Sequence, residues 1–356
     1  MSSQADKFAQ AAKQTGATPP ATGRGIGYYL RRTMIYIACG YLLPCLALFF
    51  FQKRLVYHPV REESLMPQDS GFARAQATPV QTTTSDGVML KGWLIAGRGK
   101  KETATLDLSK AILVDLFFCG NAGNKSDRTA SFRRLSSAGA EVVCFDYRGF
   151  GDSDGSPDEA GLAKDARAAW DFVVKSGVKP GSIVLHGESL GGAVAIRLAA
   201  ELCAENTPPA GVITEATFPR MSSVASRQFP FVPVSLILSQ TFPSIERIPN
   251  VTCPLLMLHG KVDDLVPIAL GRELFAAAPA QSQSGLAKQF VELPTAGHND
   301  VGAADADEYL AAVGTFLNTL APELTPPHVE HGERKRDRKP TPPKPKSPAP
   351  PATPDK

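Results

Sequence analysis

Ser189 is the residue whose surroundings in the sequence are best suited to nucleophilic catalysis. It lies in Gly187-Glu-Ser-Leu-Gly191, after a short apolar run and before an alanine-rich stretch with helical periodicity. A serine hydroxyl is a weak nucleophile, so it needs an accessible position, a nearby base and hydrogen-bond donors for the developing charge. A sharp strand-to-helix turn supplies all three, and its crowded backbone favours glycine two positions before and after the serine. The spacing therefore predicts a nucleophile at Ser189.

His298 is the predicted general base. The chain has six histidines. Of the other five, His58 lies beside an apolar N-terminal segment. His186 and His259 end apolar strand-like runs where packing is expected, and His328 and His331 fall in a proline-rich tail. His298 follows the last strand-like run and comes after Ser189, as in the Ser, Asp, His order that accompanies this kind of turn.

The third member of such a triad is a carboxylate that orients the imidazole and stabilises its protonated form. Asp263 and Asp264 both follow a predicted strand between the serine and the histidine. Spacing alone does not choose between them.

Two backbone N–H groups are predicted to stabilise the oxyanion. The first is that of Leu190, at the start of the helix after the turn. The second is expected in the loop after an earlier strand, where glycine lets the backbone come close. This places it at Asn121, within Gly120-Asn-Ala122.

Alternating strands and helices must position these residues. Such alternation predicts right-handed crossovers and a mostly parallel sheet, preceded by a hairpin around Ser85-Asp-Gly87. The predicted strands of the parallel part are 111–118, 141–146, 182–187, 211–215, 254–259 and 289–293. The predicted helices are 129–137, 158–176, 190–205, 268–278 and 305–320. Ligands gather at the carboxyl ends of such strands, where the candidate residues fall.

The ends of the chain differ from this middle part. Residues 33–51 carry no charged side chain and lie between Arg31-Arg32 and Lys53-Arg54, which predicts one uncleaved membrane-spanning helix. Basic residues balance across it, so the positive-inside rule leaves the orientation open. The predicted organisation is a polar arm at 1–32, an anchor at 33–52, a main domain at 55–322 with a cap-like insertion at 217–253, and a disordered Pro/Lys-rich tail at 323–356.

The composition bears on which binding partners and cofactors are expected. The net charge of +3 is too small to indicate a nucleic-acid partner. The six cysteines show no metal-type spacing. Neither a metal nor an organic cofactor is predicted. Cys119 is expected to be a small buried residue rather than a reactive thiol. No prediction is made for the oligomeric state.

Five motifs in this order resemble the α/β-hydrolase superfamily, and most of all its membrane-anchored bud-emergence-like group, whose relatives include depalmitoylating thioesterases. The motifs are Cys119-Gly-Asn-Ala-Gly-Asn124, Asp146-Tyr-Arg-Gly-Phe-Gly-Asp-Ser-Asp-Gly155, Gly187-Glu-Ser-Leu-Gly-Gly192, His259-Gly-Lys-Val-Asp-Asp-Leu-Val-Pro267 and Gly297-His298. The resemblance begins at the anchor, includes residues 55–59 and continues to about residue 320. It implies an α/β-hydrolase fold that follows an N-terminal transmembrane helix in the chain.

The same resemblance selects Asp263 over Asp264 as the acid of the triad. It also reveals one departure, because this group usually has histidine where Cys119 stands. The donor in that loop is a backbone N–H, so the oxyanion hole is expected to survive.

The implied activity is hydrolysis of a carboxylic ester or thioester, with an acyl-lipid or acyl-protein substrate, by a single-pass membrane serine hydrolase. The apolar insertion and the anchor favour a lipid-like acyl group, since both place the pocket near a membrane. Two alternatives remain: a serine peptidase with the same triad, and a non-catalytic membrane-tethered scaffold of the same fold.

Overall fold

The computed structural model of the protein describes residues 25–97 and 107–324. Residues 1–24 of the predicted arm and 325–356 of the predicted tail, which include His328 and His331, lie outside the described residues. Leu324 is buried against the core, so the packed domain extends past residue 322.

A mixed sheet is the centre of the fold. Within the described residues the chain forms ten strands: β1 His58–Pro59, β2 Ala77–Thr83, β3 Met89–Ile95, β4 Val114–Phe118, β5 Ala122–Gly123, β6 Glu141–Phe145, β7 Ile183–Glu188, β8 Gly211–Glu215, β9 Leu255–Gly260 and β10 Gln289–Leu293. Eight of these described strands form the main sheet, in the order β10-β9-β8-β7-β4-β6-β3-β2. The β2–β3 hairpin is antiparallel, as is β3 to β6, and the other pairs are parallel.

Helices flank the sheet. In the described part of the chain they are α1 Ile26–Val56, α2 Thr129–Ser137, α3 Glu159–Lys175, α4 Leu190–Ala204, α5 Met221–Gln228, α6 Val234–Ile237, α7 Ser244–Arg247, α8 Ile268–Ala277, α9 Val301–Ala304 and α10 Ala306–Leu320. Short 3-10 turns occur at Pro67–Ser70, Leu108–Lys110, Lys125–Arg128, Pro180–Ser182 and Ile248–Asn250. Strands β4, β6 and β7 are buried at nearly every position, as expected for apolar strands covered on both faces. The predicted α/β fold is confirmed.

Helix α1 extends beyond the predicted span at both ends and is long and apolar enough to cross a bilayer. Most of its side chains are exposed. Pro44 lies inside it.

The last turns of α1 are fixed to the insertion between β8 and β9. The Gln52 side chain accepts hydrogen bonds from the backbone N–H of Ser239, at 2.7 Å, and from its hydroxyl. The hydroxyl of Tyr57 donates to Gln240 at 2.8 Å. Beyond the helix, β1 pairs with β5, and the N–H of His58 donates to the carbonyl of Asn121. The helix and the predicted oxyanion loop are thereby joined.

Candidate active site

Ser189 occupies a strained turn between β7 and α4, with φ of 53° and ψ of −111°. This left-handed region is costly for a residue with a side chain, so the surrounding contacts must hold it. The Ser189 N–H donates to the Glu215 carbonyl at 2.7 Å, and the Thr217 hydroxyl donates to the Ser189 carbonyl at 2.9 Å. A Cβ atom at Gly191 would lie 2.0 Å from the carbonyl oxygen of Phe118. The crowding expected of a nucleophile turn is therefore present.

His298 reaches over this turn from the loop after β10. Its Nε2 atom lies 3.0 Å from Oγ of Ser189, and its Nδ1 atom lies 2.8 Å from Oδ2 of Asp263. A carboxylate can only accept hydrogen bonds, so Nδ1 carries the proton and Nε2 is left to accept from the serine hydroxyl. The loop is fixed by Asp305, whose carboxylate accepts from the N–H groups of Thr295 and Ala296.

Asp263 is buried and Asp264 is exposed, although they are neighbours in the chain. Besides contacting His298, the Asp263 carboxylate accepts hydrogen bonds from the N–H groups of Leu265 and Val266, at 3.0 and 2.7 Å. Burial opposes its ionisation, but hydrogen bonds to His259 and His298 outweigh that effect and hold the pKa of Asp263 well below its usual range. A charged carboxylate is therefore held against the imidazole.

Leu190 and Asn121 line the same cavity as Ser189 and His298. Leu190 is the first residue of α4, where helix N–H groups have no partner within the helix. The Asn121 side chain donates to the carbonyl of Val56 at 2.8 Å, which fixes this loop against the end of α1. Both residues therefore lie at the cavity beside Ser189, and their role as oxyanion donors remains a prediction.

Cys119 lies in the core and is not among the residues that line the cavity. Its sulfur is 3.5 Å from that of Cys144, and its carbonyl accepts from the Tyr147 hydroxyl at 3.1 Å. The cysteine that replaces the expected histidine therefore packs beneath the loop.

The cavity beside Ser189 has a volume of about 370 Å³. Among its described lining residues there is no Asp, Glu, Lys or Arg. Two groups of apolar side chains enclose it. One comes from the insertion, with Phe218, Met221, Val224, Ala225, Phe229, Val232, Val234, Ile237 and Leu238, and the other comes from the end of α1, with Leu48, Leu55 and Val56. Such a lining suits a long apolar group next to Ser189.

A buried ionic cluster beneath the turn was missed by the sequence analysis. His186 contacts Asp115 through Nδ1 at 2.9 Å and Glu215 through Nε2 at 2.8 Å, and the Tyr309 hydroxyl donates to Glu215 at 2.5 Å. Burial disfavours a charged imidazole, but the two carboxylates raise the pKa of His186 to about 10. An aspartate inside an apolar strand was the available signal, because a buried carboxylate requires a partner.

No group of three or more His, Cys, Asp and Glu side chains suited to a metal ion occurs within residues 25–97 and 107–324. The absence of a cofactor remains a prediction.

Comparisons with known proteins identify the family of the chain. Residues 116–246 match the model of the alpha/beta hydrolase family. An uncharacterized protein of Mycobacterium tuberculosis is 37% identical over 276 residues, which cover 76% of this chain and 88% of that protein. Lysophosphatidylserine lipase ABHD12 of Gallus gallus is 33% identical over 328 residues, covering 82% of this chain and 83% of the lipase.

Among solved structures, the Pyrococcus furiosus esterase Pf2001 is similar in fold, with a TM-score of 0.57 and 19% identity over 75% of this chain and 98% of the esterase. The chain belongs to the alpha/beta hydrolase family and is an esterase- or lipase-like hydrolase.

Proposed function

We propose that the protein is a single-pass, membrane-anchored serine hydrolase that cleaves a carboxylic ester or thioester of a lipid-like acyl group. The observation that carries the proposal is the chain of contacts from Asp263 through His298 to Ser189, which ends at an apolar cavity. The lysophosphatidylserine lipases among the relatives support an acyl lipid as the substrate class.

In the proposed mechanism, Nε2 of His298 removes the proton of the Ser189 hydroxyl while Oγ attacks the acyl carbonyl. Asp263 stabilises the imidazolium that forms. The negative carbonyl oxygen is stabilised by the N–H groups of Leu190 and Asn121. His298 then donates its proton to the leaving alkoxide or thiolate, and the acyl group stays on Ser189. Water, activated by the same imidazole, releases the acid and restores the hydroxyl.

The uncharged cavity supports the acyl part of the proposal. Burying a charged headgroup without a partner is costly, whereas each buried methylene contributes about 0.8 kcal/mol. The acyl chain is therefore expected inside the cavity, and the polar headgroup is expected outside it.

The test is fluorophosphonate labelling and hydrolysis by the full-length protein in detergent micelles. Ser189→Ala is compared with Ser182→Ala, a substitution immediately before the first residue of β7. Labelling and activity are expected in the wild type and in Ser182→Ala and are expected to be lost in Ser189→Ala. A panel of esters, thioesters and short peptide amides separates the substrate classes. Preferential cleavage of peptide amides would favour a peptidase, and the absence of serine-dependent labelling would favour a scaffold.

A further inference from the structure

Residues 229–238, named here the cap strip, lie within the insertion. The sequence Phe-Pro-Phe-Val-Pro-Val-Ser-Leu-Ile-Leu contains no charged side chain. Phe231 is 87% exposed and Leu236 is 84% exposed. Large apolar side chains so exposed in one uncharged segment mark a surface that contacts another apolar phase.

The cap strip runs beside the proposed membrane helix. The hydroxyl of Tyr41 donates to the carbonyl of Phe231 at 2.9 Å. Farther along the helix, the Gln52 amide contacts the carbonyl of Ile237 at 3.4 Å. At a rise of about 1.5 Å per residue, these two contacts lie roughly 16 Å apart along the helix axis.

The position of Tyr41 along the helix indicates what surrounds Phe231. The uncharged part of the helix ends at Phe51, so Tyr41 lies roughly 15 Å inside it. A hydrocarbon core is about 30 Å thick. When the helix spans a bilayer, the carbonyl of Phe231 is therefore held at the depth of the acyl chains.

We propose that the cap strip is embedded in the leaflet adjoining the catalytic domain, with Phe231 and Leu236 in contact with lipid acyl chains. This rests on the proposed membrane anchor and does not depend on the proposed catalytic chemistry.

The backbone of the cap strip suits such a position. Lipid offers no hydrogen-bond partners, so buried N–H groups must be satisfied internally. Pro230 and Pro233 have no N–H to satisfy. Several of the remaining groups donate to nearby carbonyls. These are the N–H groups of Phe229, Val232, Val234, Leu236 and Leu238.

Embedding also determines how a substrate enters. Phe231 and Leu236 do not line the cavity, but their neighbours Val232 and Ile237 do, together with Leu48 of the helix. The cavity therefore lies between two elements that contact lipid. An acyl chain passes into it from the leaflet and does not have to cross water.

Fluorescence quenching in vesicles tests the embedding directly. Tryptophan is introduced by Phe231→Trp and Leu236→Trp, and the full-length proteins are reconstituted into phosphatidylcholine vesicles with or without brominated acyl chains. Native Trp93 and Trp170 are buried and supply a constant background, which is subtracted using the wild type. Leu43→Trp on the helix is the lipid-exposed control. Ile112→Trp, exposed before β4 at the opposite end of the sheet, is the water-exposed control.

Both cap-strip tryptophans are expected to lose most of their fluorescence in brominated vesicles, as Leu43→Trp does. Quenching by aqueous iodide instead, as for Ile112→Trp, would overturn the proposal. Protection from both quenchers would also overturn it, because a protein partner or a second copy of the chain would then cover the strip.

Hydrolysis gives an independent measurement. Phe231→Asp and Leu236→Asp are expected to slow hydrolysis of a long-chain ester carried in vesicles about tenfold, because a charge opposes insertion. Hydrolysis of a soluble short-chain ester is expected to stay at the wild-type rate, and Ile112→Asp is the matched control. Equal loss on both substrates contradicts lipid-specific entry. If the wild type hydrolyses neither ester, the proposed function fails while the quenching result still decides the position of the strip.

Discussion

Nε2 of His298 lies 3.0 Å from Oγ of Ser189, although 109 positions separate the two residues in the chain. Two loops at the carboxyl ends of parallel strands bring them together, and Asp263 comes from a third loop at the same edge. A base, a hydroxyl and a buried carboxylate in this order form an arrangement that can activate a serine.

The choice between two neighbouring aspartates gives the first prediction. Asp263→Asn is expected to lower kcat by about 10⁴-fold, because an amide no longer holds the imidazole in the tautomer that accepts the serine proton. Asp264→Asn, the exposed neighbour, is expected to keep wild-type activity. Steady-state ester hydrolysis measures both, and circular dichroism checks that each variant is folded. Equal rates in two folded variants would remove Asp263 from the mechanism.

The second prediction concerns the crowded turn. Gly191→Ala places a Cβ atom 2.0 Å from a backbone oxygen that no side-chain rotation can move. We expect it to reduce the free energy of unfolding by about 3 kcal/mol and to abolish fluorophosphonate labelling. A Cβ atom at Gly181 would meet no atom within 4 Å, so Gly181→Ala is expected to stay within about 0.5 kcal/mol of the wild type. Thermal unfolding in detergent compares them, and similar melting temperatures would contradict the close approach.

The third prediction concerns acyl-chain length. Ala225 lines the cavity and its neighbour Ser226 is exposed. Ala225→Trp is expected to fill part of the cavity and to lower kcat/KM for long-chain esters about tenfold relative to short-chain esters. Ser226→Trp is the matched control with an unchanged preference. The measurement is kcat/KM across esters of increasing chain length, and an unaltered profile for Ala225→Trp would place the acyl chain elsewhere.

The buried His186 cluster gives a prediction about pH. The pKa of His186 is raised in the folded protein to about 10, above its ordinary value of 6.5. Its stabilising contribution is therefore complete below pH 6.5 and is lost as the pH rises towards 10, with a slope of at most about 1.4 kcal/mol per pH unit. Thermal unfolding of the wild type is expected to show this decline.

Two variants isolate the effect. His186→Gln is expected to be less stable overall and to show a flatter pH dependence between pH 7 and 10. His58→Gln, at an exposed histidine, is expected to retain the wild-type slope. The same slope in His186→Gln and in the wild type would show that His186 is neutral in the folded protein.

The sheet and the turn could be predicted from the sequence because local patterns encode them. Buried strands appear as apolar runs, and the Gly-x-Ser-x-Gly spacing reflects backbone contacts within a few residues of Ser189. Asp263 and Asp264 could not be separated by spacing, since the direction of a loop side chain depends on the fold around it. The motif resemblance selected Asp263, and the structure brings Asp263 to His298.

Contacts between distant segments could not be predicted from local sequence patterns. Gln52 accepts hydrogen bonds from Ser239, which lies 187 positions away. Likewise, His186 meets Glu215 and Tyr309 only after β7, β8 and α10 have packed together. No periodicity within one segment carries information about either pairing.

The attachment of α1 to the insertion has a consequence for how this enzyme is prepared. A soluble fragment that begins after Tyr57 would discard Leu48, Gln52, Leu55 and Val56, which form one wall of the cavity. The cavity would be open on that side, and its remaining apolar surface would favour aggregation in water. Acyl-chain-length preferences measured on such a fragment would describe the opened cavity and not the native enzyme.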